Sequence, residues 1–213
     1  MSLTGICDNL AVLSDENMVI IREVVVETNR QWAVRLGINP STATTCVKPS
    51  GTVSQLVDSA SGLHARHSDF YLRTIRADNK DPLTEFLKAS GVYSEPDVMS
   101  PHNTTVFYFA IKAPDGAVTR DKQNAIQALE LWKQLQEHWC EHKPSATINV
   151  REDEWMDVGA WVYRNFDMLS GVSFLPHDGG SYKQAPYQEI TEEQYNEWLE
   201  KHPAPSFDWS DLR

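Results

Sequence analysis

Residues 47–53 read Val47-Lys48-Pro49-Ser50-Gly51-Thr52-Val53, and this turn with its flanks sets the fold class. The β-branched run Thr44-Thr45-Cys46-Val47 approaches it as a strand, and Thr52-Val53-Ser54-Gln55-Leu56 leaves it as helix-compatible sequence. Pro49 and Gly51 mark a tight turn. Ser50 and Thr52 carry hydroxyls able to cap the helix that follows. Amides at a helix start point outward with partial positive charge, so a strand–turn–helix of this kind can hold a phosphate. The same residues also serve an ordinary strand-to-helix loop.

Upstream of the turn, Ser14 can cap a helix from Asp15 to about Leu36, with the stripe Met18, Ile21, Val25, Thr28 and Trp32, ended by Gly37. Downstream, residues 59–68 form a polar loop, and Phe70 to Ile75 alternates as a strand. A short helix runs from Pro82 to Ala89 and stops at Gly91. Thr104 to Ile111 is an unbroken run of β-branched and aromatic residues, the pattern of a strand buried on both faces. The longest helical pattern spans about Asp121 to His142, with Ala125, Ala128, Leu129, Trp132, Leu135 and Trp139 on one face. Strands follow at Ala146–Val150 and Gly171–Leu175, separated by a helix over 152–169. Thr191 and Gln194 have capping-box spacing for a last helix to about Lys201. Strand–helix alternation predicts an α/β architecture with a largely parallel sheet, either open or part of a closed barrel.

The chain has 213 residues, 41% of them hydrophobic and 23% charged, enough for one sizeable core. No apolar run approaches a membrane span, and the N-terminus lacks the basic-then-apolar pattern of a secretory signal. Three widely spaced cysteines, Cys7, Cys46 and Cys140, argue against a disulfide framework or zinc cluster and for a reducing cytoplasm. A net charge of −11 opposes nucleic-acid binding by the whole surface, though not a small anion in a local pocket.

Other chemistry-bearing residues each have a bland counterpart. His138 and His142 are i, i+4 partners that could share a metal, or could answer the dipole at a helix end. His64, Arg66, His67, Arg73 and Arg76 could supply charge to an anionic ligand, or pair with nearby acids. Cys46 lacks any flanking pattern for an activated thiolate. Glu152, Asp153 and Glu154 suit the start of a helix better than acid–base catalysis. No catalytic pair, triad or metal cluster emerges.

Several segments together resemble one family, the adenosylcobalamin-dependent (class II) ribonucleotide reductases, in their monomeric ribonucleoside-triphosphate reductase branch. They are Ser2-Leu-Thr-Gly-Ile6, Cys46-Val-Lys-Pro-Ser-Gly-Thr-Val-Ser-Gln-Leu56, Ser61-Gly-Leu-His64, Tyr71-Leu-Arg-Thr-Ile-Arg76, and Trp139-Cys-Glu-His142 with Pro144-Ser-Ala-Thr-Ile148. Arg151-Glu-Asp-Glu-Trp155, Gly171-Val-Ser-Phe-Leu-Pro176 and Gln184-Ala-Pro-Tyr187 continue the ordered set across nearly the whole chain.

The resemblance implies part of a ten-stranded α/β barrel with long flanking helices, residues 1–202 being its C-terminal part and 203–213 an extended segment. It assigns substrate-phosphate binding to Pro49, Ser50, Gly51, Thr52 and Val53, with Lys48 and His64 as further candidates. It implies adenosylcobalamin as the complete enzyme's cofactor, bound mostly outside this chain, and a thioredoxin-type reductant. The family's radical cysteine lies in an Asn-x-Cys-x-Glu loop that this sequence lacks, and its redox pair and cysteine-bearing tail are missing too. The expectation is therefore a phosphate clamp and barrel wall without catalytic residues or metal ligands, inactive alone and completed by an N-terminal reductase segment. Met1 inside a family motif suggests a fragment or split-gene product. A non-catalytic nucleotide-binding or regulatory module is the alternative.

Overall fold

The computed structural model describes residues 1–51, 53–177 and 183–211. In chain order the elements are β1 (Ser2–Leu3), α1 (Asp15–Leu36), β2 (Cys46–Val47), α2 (Val53–Leu56), β3 (Phe70–Asp78), α3 (Pro82–Ala89) and β4 (Ser94–Pro96). Then come β5 (Thr104–Lys112), α4 (Ala125–His138), β6 (Ala146–Val150), α5 (Trp155–Arg164), β7 (Val172–Pro176), β8 (Tyr187–Glu189) and α6 (Glu192–Lys201). The chain divides into two compact units. Met1–Arg66 and Pro114–His177 form one, and His67–Ala113 with the described residues after 182 form the other.

Local signals set most helix boundaries. Ser14 Oγ accepts the Asn17 amide at the start of α1, and Gly37, at φ 68°, ends that 22-residue helix. Asp81 caps α3 ahead of Pro82. Reciprocal capping boxes open α4 (Asn124 with Gln127) and α6 (Thr191 with Gln194). The Asn124 cap explains why α4 begins at Ala125 and not at Asp121. It ends at His138, so His142 lies beyond it and the two histidines are not helical neighbours.

In the first unit, β6–α5–β7 is a parallel strand–helix–strand unit, and β1 pairs in parallel with β2 through Ser2↔Cys46 and Leu3↔Val47. The core lies between α4 and these strands. Leu129, Trp132, Leu135, Trp139, Ile148, Val150 and Val47 are all buried in it. The Trp132 indole donates to the Pro144 carbonyl at 3.0 Å, so this large ring is buried with its N–H satisfied.

The second unit overturns the expected largely parallel sheet. Its four strands run in the order β4-β5-β3-β8, and every neighbouring pair is antiparallel. The helix between β3 and β5 looks like a parallel crossover in sequence. In fact α3 leads to β4, a three-residue strand, and the chain turns back there to insert β5 between β4 and β3. Thr105 to Tyr108 on β5 are buried in succession, as the apolar run predicts. The described strands form one four-stranded and two two-stranded sheets, and no closed barrel.

The buried line on α1 also differs from the expected stripe. It follows Met18, Val25 and Ala33, leaving Ile21 48% and Trp32 54% exposed. Leu135→Ala should therefore destabilise the fold by about 2–5 kcal/mol, whereas Ile21→Ala should stay within about 0.5 kcal/mol. Urea denaturation of the two variants checks the contrast.

Candidate phosphate-binding turn

Two residues of β2 carry the chain into the turn, and the end of α4 holds them. Thr45 Oγ1 donates to the Trp139 carbonyl at 2.6 Å, and the Trp139 indole donates back to the Cys46 carbonyl at 2.8 Å. Glu141 accepts the Thr44 amide at 2.8 Å and the Thr44 hydroxyl at 2.6 Å. The Thr44 hydroxyl, followed by the amides, holds the Glu141 carboxyl below its usual value. On the other side the Lys48 amide donates to Ser2 Oγ at 3.2 Å.

The turn itself is clamped by the loop at 60–64. Ser61 Oγ accepts the Ser50 amide at 2.7 Å. Gly62 takes φ 57°, and a Cβ there would lie 3.0 Å from the Lys48 carbonyl oxygen and 3.3 Å from Pro49 Cα. Thr4 locks this loop in turn, accepting the Gly62 amide at 2.9 Å and donating to the Ala60 carbonyl at 3.1 Å. Ser61 and Gly62 were legible only as members of the Ser61-Gly-Leu-His64 match; their clamping role was not.

Ser50 acts as the expected cap, its Oγ accepting the Ser54 amide at 2.9 Å. A hydroxyl that accepts still has a hydrogen to donate. Nothing lies within 4 Å of a Cβ built on Gly51, and Val53 is exposed. The surface at 50, 51 and 53 is thus open, with a hydroxyl and main-chain groups on it. Helix α2 has only four residues, so a helix dipole adds little here. Thr52 lies outside the described residues.

The remaining candidates separate. Thr147 donates its amide to His64 Nε2 at 3.0 Å, so the ring hydrogen sits on Nδ1 and is donated to the Ser61 carbonyl at 2.9 Å. Both nitrogens are spent on holding the loop, and neither is left for a ligand. Arg66 is buried and bonded to Asp8 and Asp58 at 2.8 and 3.0 Å. In the second unit Arg76 pairs with Asp97 at 2.9 Å, Arg73 lies over the Tyr187 ring, and His67 stacks on the same ring. Arg66 and Arg76 are therefore acid-paired. His138 approaches Asp15 at 3.5 Å, and the described residues contain no group of three or more metal-binding side chains.

Burial pushes the thiols of Cys7 and Cys140 up to about 12. Both stay protonated at neutral pH and pack as small apolar groups. Cys46 is half-buried. At pH 8 an alkylating reagent should modify Cys46 first, with Cys7 and Cys140 reacting only after unfolding; mass spectrometry counts the adducts. Gly62→Ala combines a positive φ with a close carbonyl and should cost roughly 1–3 kcal/mol. Denaturant titration measures it.

No family model matches the chain. It is 34% identical over 182 residues to the adenosylcobalamin-dependent ribonucleoside-triphosphate reductase of Lactobacillus gasseri, covering 81% of this chain and 24% of that protein. The Euglena gracilis enzyme of the same name is 34% identical over 168 residues, covering 78% and 23%. A crystal structure of a B-12 dependent (class II) ribonucleotide reductase superposes with a TM-score of 0.79 at 28% identity, over 89% of this chain and 27% of that one. The chain spans about a quarter of the length of the curated relatives it matches. It is homologous to a partial region of the adenosylcobalamin-dependent, class II ribonucleotide reductases.

Proposed function

We propose that this chain supplies the substrate-phosphate clamp and part of the barrel wall of an adenosylcobalamin-dependent ribonucleoside-triphosphate reductase. The observation that carries the reading is the Lys48–Val53 turn, clamped by Ser61 and Gly62 within a region homologous to those reductases. Ser50, Gly51 and Val53 meet the nucleotide's phosphates, Pro49 shapes their approach, and Thr52 joins them by its place in the motif. Exposed Lys48 adds charge at the rim, while His64 holds the loop from behind. Anchoring the phosphates fixes the ribose for chemistry carried out by other residues, which is how binding distant from a reacting centre assists it.

The ten-stranded barrel, the radical cysteine and the redox pair belong to the complete enzyme, whose remaining segment is the first partner. Residues 1–202 act as the barrel portion and 203–208 as an extended segment, followed by a 3-10 turn at Trp209–Asp211. A thioredoxin-type reductant is the second partner, and the cytoplasm the location. No helix among the described residues is long and apolar enough to cross a membrane. Adenosylcobalamin supplies the radical chemistry when bound. The groove along α1 and α4, 490 Å3 and edged by Asp15, Glu130, Glu137 and Lys133, has the volume of a drug-sized site, roughly 300–1,000 Å3. A corrinoid needs more room than this groove offers, and the family resemblance implies a main surface outside this chain. The buried, protonated Cys7 and Cys140 support the same division of labour.

Mixed with adenosylcobalamin, a ribonucleoside triphosphate and a dithiol, the chain alone should form no deoxynucleotide. Adding a polypeptide with the remaining reductase segment should restore it. In the restored enzyme Ser50→Ala should raise KM about tenfold or more, the effect of losing a hydrogen bond to a charged group. Turnover by the chain alone, or failure to associate with the reductase segment, would overturn the reading.

A further inference from the structure

A small cavity of 60 Å3 lies behind the turn, in the first unit, lined by Leu63, His64, Arg120, Asn124, Thr147 and Asn149 among others. It shares a wall with the phosphate turn. Ser61 and Gly62 touch Ser50 and Pro49 on one side, and the next two residues, Leu63 and His64, face the cavity on the other.

The unusual member of the lining is Arg120. Its Nε is buried without a hydrogen-bond partner, and its guanidinium makes no hydrogen bond or ion pair with any described residue. Its main chain is fixed, the amide donating to the Arg66 carbonyl at 2.9 Å, so the side chain is held beside the cavity. Arg120 as a whole is half-buried, with its Nε enclosed, and an oxyanion complements a guanidinium because the planar N–H fork matches two oxygens. No carboxylate among the described residues lines the cavity, in a chain whose net charge is −11. The other polar liners, Gln123, Asn124, Thr147 and Asn149, are neutral. Asn124 Oδ1 is already used on the Gln127 amide, which leaves its NH2 as the free end. A single phosphoryl group is of a size with this space, where a nucleobase is not.

We propose that the Arg120 cavity is a second phosphoryl site, receiving the outer phosphate of the nucleotide whose inner phosphate rests on the Lys48–Val53 turn. The proposal depends on the turn being a phosphate clamp. It adds a reason for a triphosphate, rather than a shorter phosphate chain, to be favoured.

The test is calorimetric titration of the whole chain with a ribonucleoside mono-, di- and triphosphate and with inorganic phosphate. The variants are Arg120→Gln, Arg120→Lys and Ser50→Ala. Arg120→Gln should weaken the triphosphate roughly tenfold or more, as for loss of a charge-assisted hydrogen bond, and leave the monophosphate within about twofold. Arg120→Lys should recover part of the loss, and it carries the test should the glutamine variant not fold. Ser50→Ala should weaken all three nucleotides alike. If only inorganic phosphate responds to Arg120, the cavity binds free phosphate and the link to the nucleotide is overturned. If Arg120 variants change no phosphate ligand, or weaken all nucleotides equally, the second site is overturned while the turn stands. If Ser50→Ala has no effect and Arg120→Gln does, the clamp reading fails and the cavity remains an anion site.

Discussion

A two-residue strand cannot satisfy its own backbone, and the first unit is organised around that constraint. Residues 44–47 reach the turn with polar groups that must be paired, and α4 ends where it does to pair them. Trp139 serves twice, accepting from the Thr45 hydroxyl and donating to the Cys46 carbonyl. Its ring is buried beside Leu135 and Val47, so the polar and apolar demands of this junction meet in one residue, through its main-chain carbonyl, its indole N–H and its ring. Glu141 then fixes Thr44, and Ser2 receives Lys48 from the opposite side. The turn is a short irregular segment whose position is set by these neighbours.

The division between buried and open surface follows from the same arrangement. α4 is the central helix, with Leu129, Trp132 and Leu135 fully enclosed. α1 contributes Met18 and Ala33 to the core and leaves Ile20, Ile21, Val24, Trp32, Val34 and Leu36 open. Around the turn, Val53, Leu56 and Val57 are also exposed. Apolar exposure on this scale exceeds the scattered residues of an ordinary surface. It belongs with a chain whose relatives are about four times as long.

Elements fixed by neighbours in sequence were legible in the sequence. Ser14 and Gly37 bound α1, Pro82 opens α3, and Ala146–Val150 reads directly as β6. The homologous region itself was legible from ordered motifs. What escaped depends on partners far away in the chain. β1, β4 and β8 are two or three residues long and become strands only through pairing. The antiparallel sense of the second unit turns on β4. The buried face of α1 runs through Ala33, while Trp32 stays 54% exposed with the Arg35 guanidinium over its ring. At the site, the turn residues stood out by composition. Arg120 did not, because its signal is an Nε left unpartnered among the described residues, which has no trace in sequence.

The contacts that hold the turn also say when it forms. Lys48 meets Ser2 across 46 residues, and Thr44 meets Glu141 across 97. Closing such loops is entropically expensive and slow compared with assembling the local β6–α5–β7 unit. The turn is therefore among the last parts of the first unit to order and among the first to open. On the proposed reading, a nucleotide bound there would stabilise only the closed arrangement, and its concentration would control how long the unit stays intact. Protection of the Ser50 and Gly62 amides from hydrogen exchange is the direct record of that coupling.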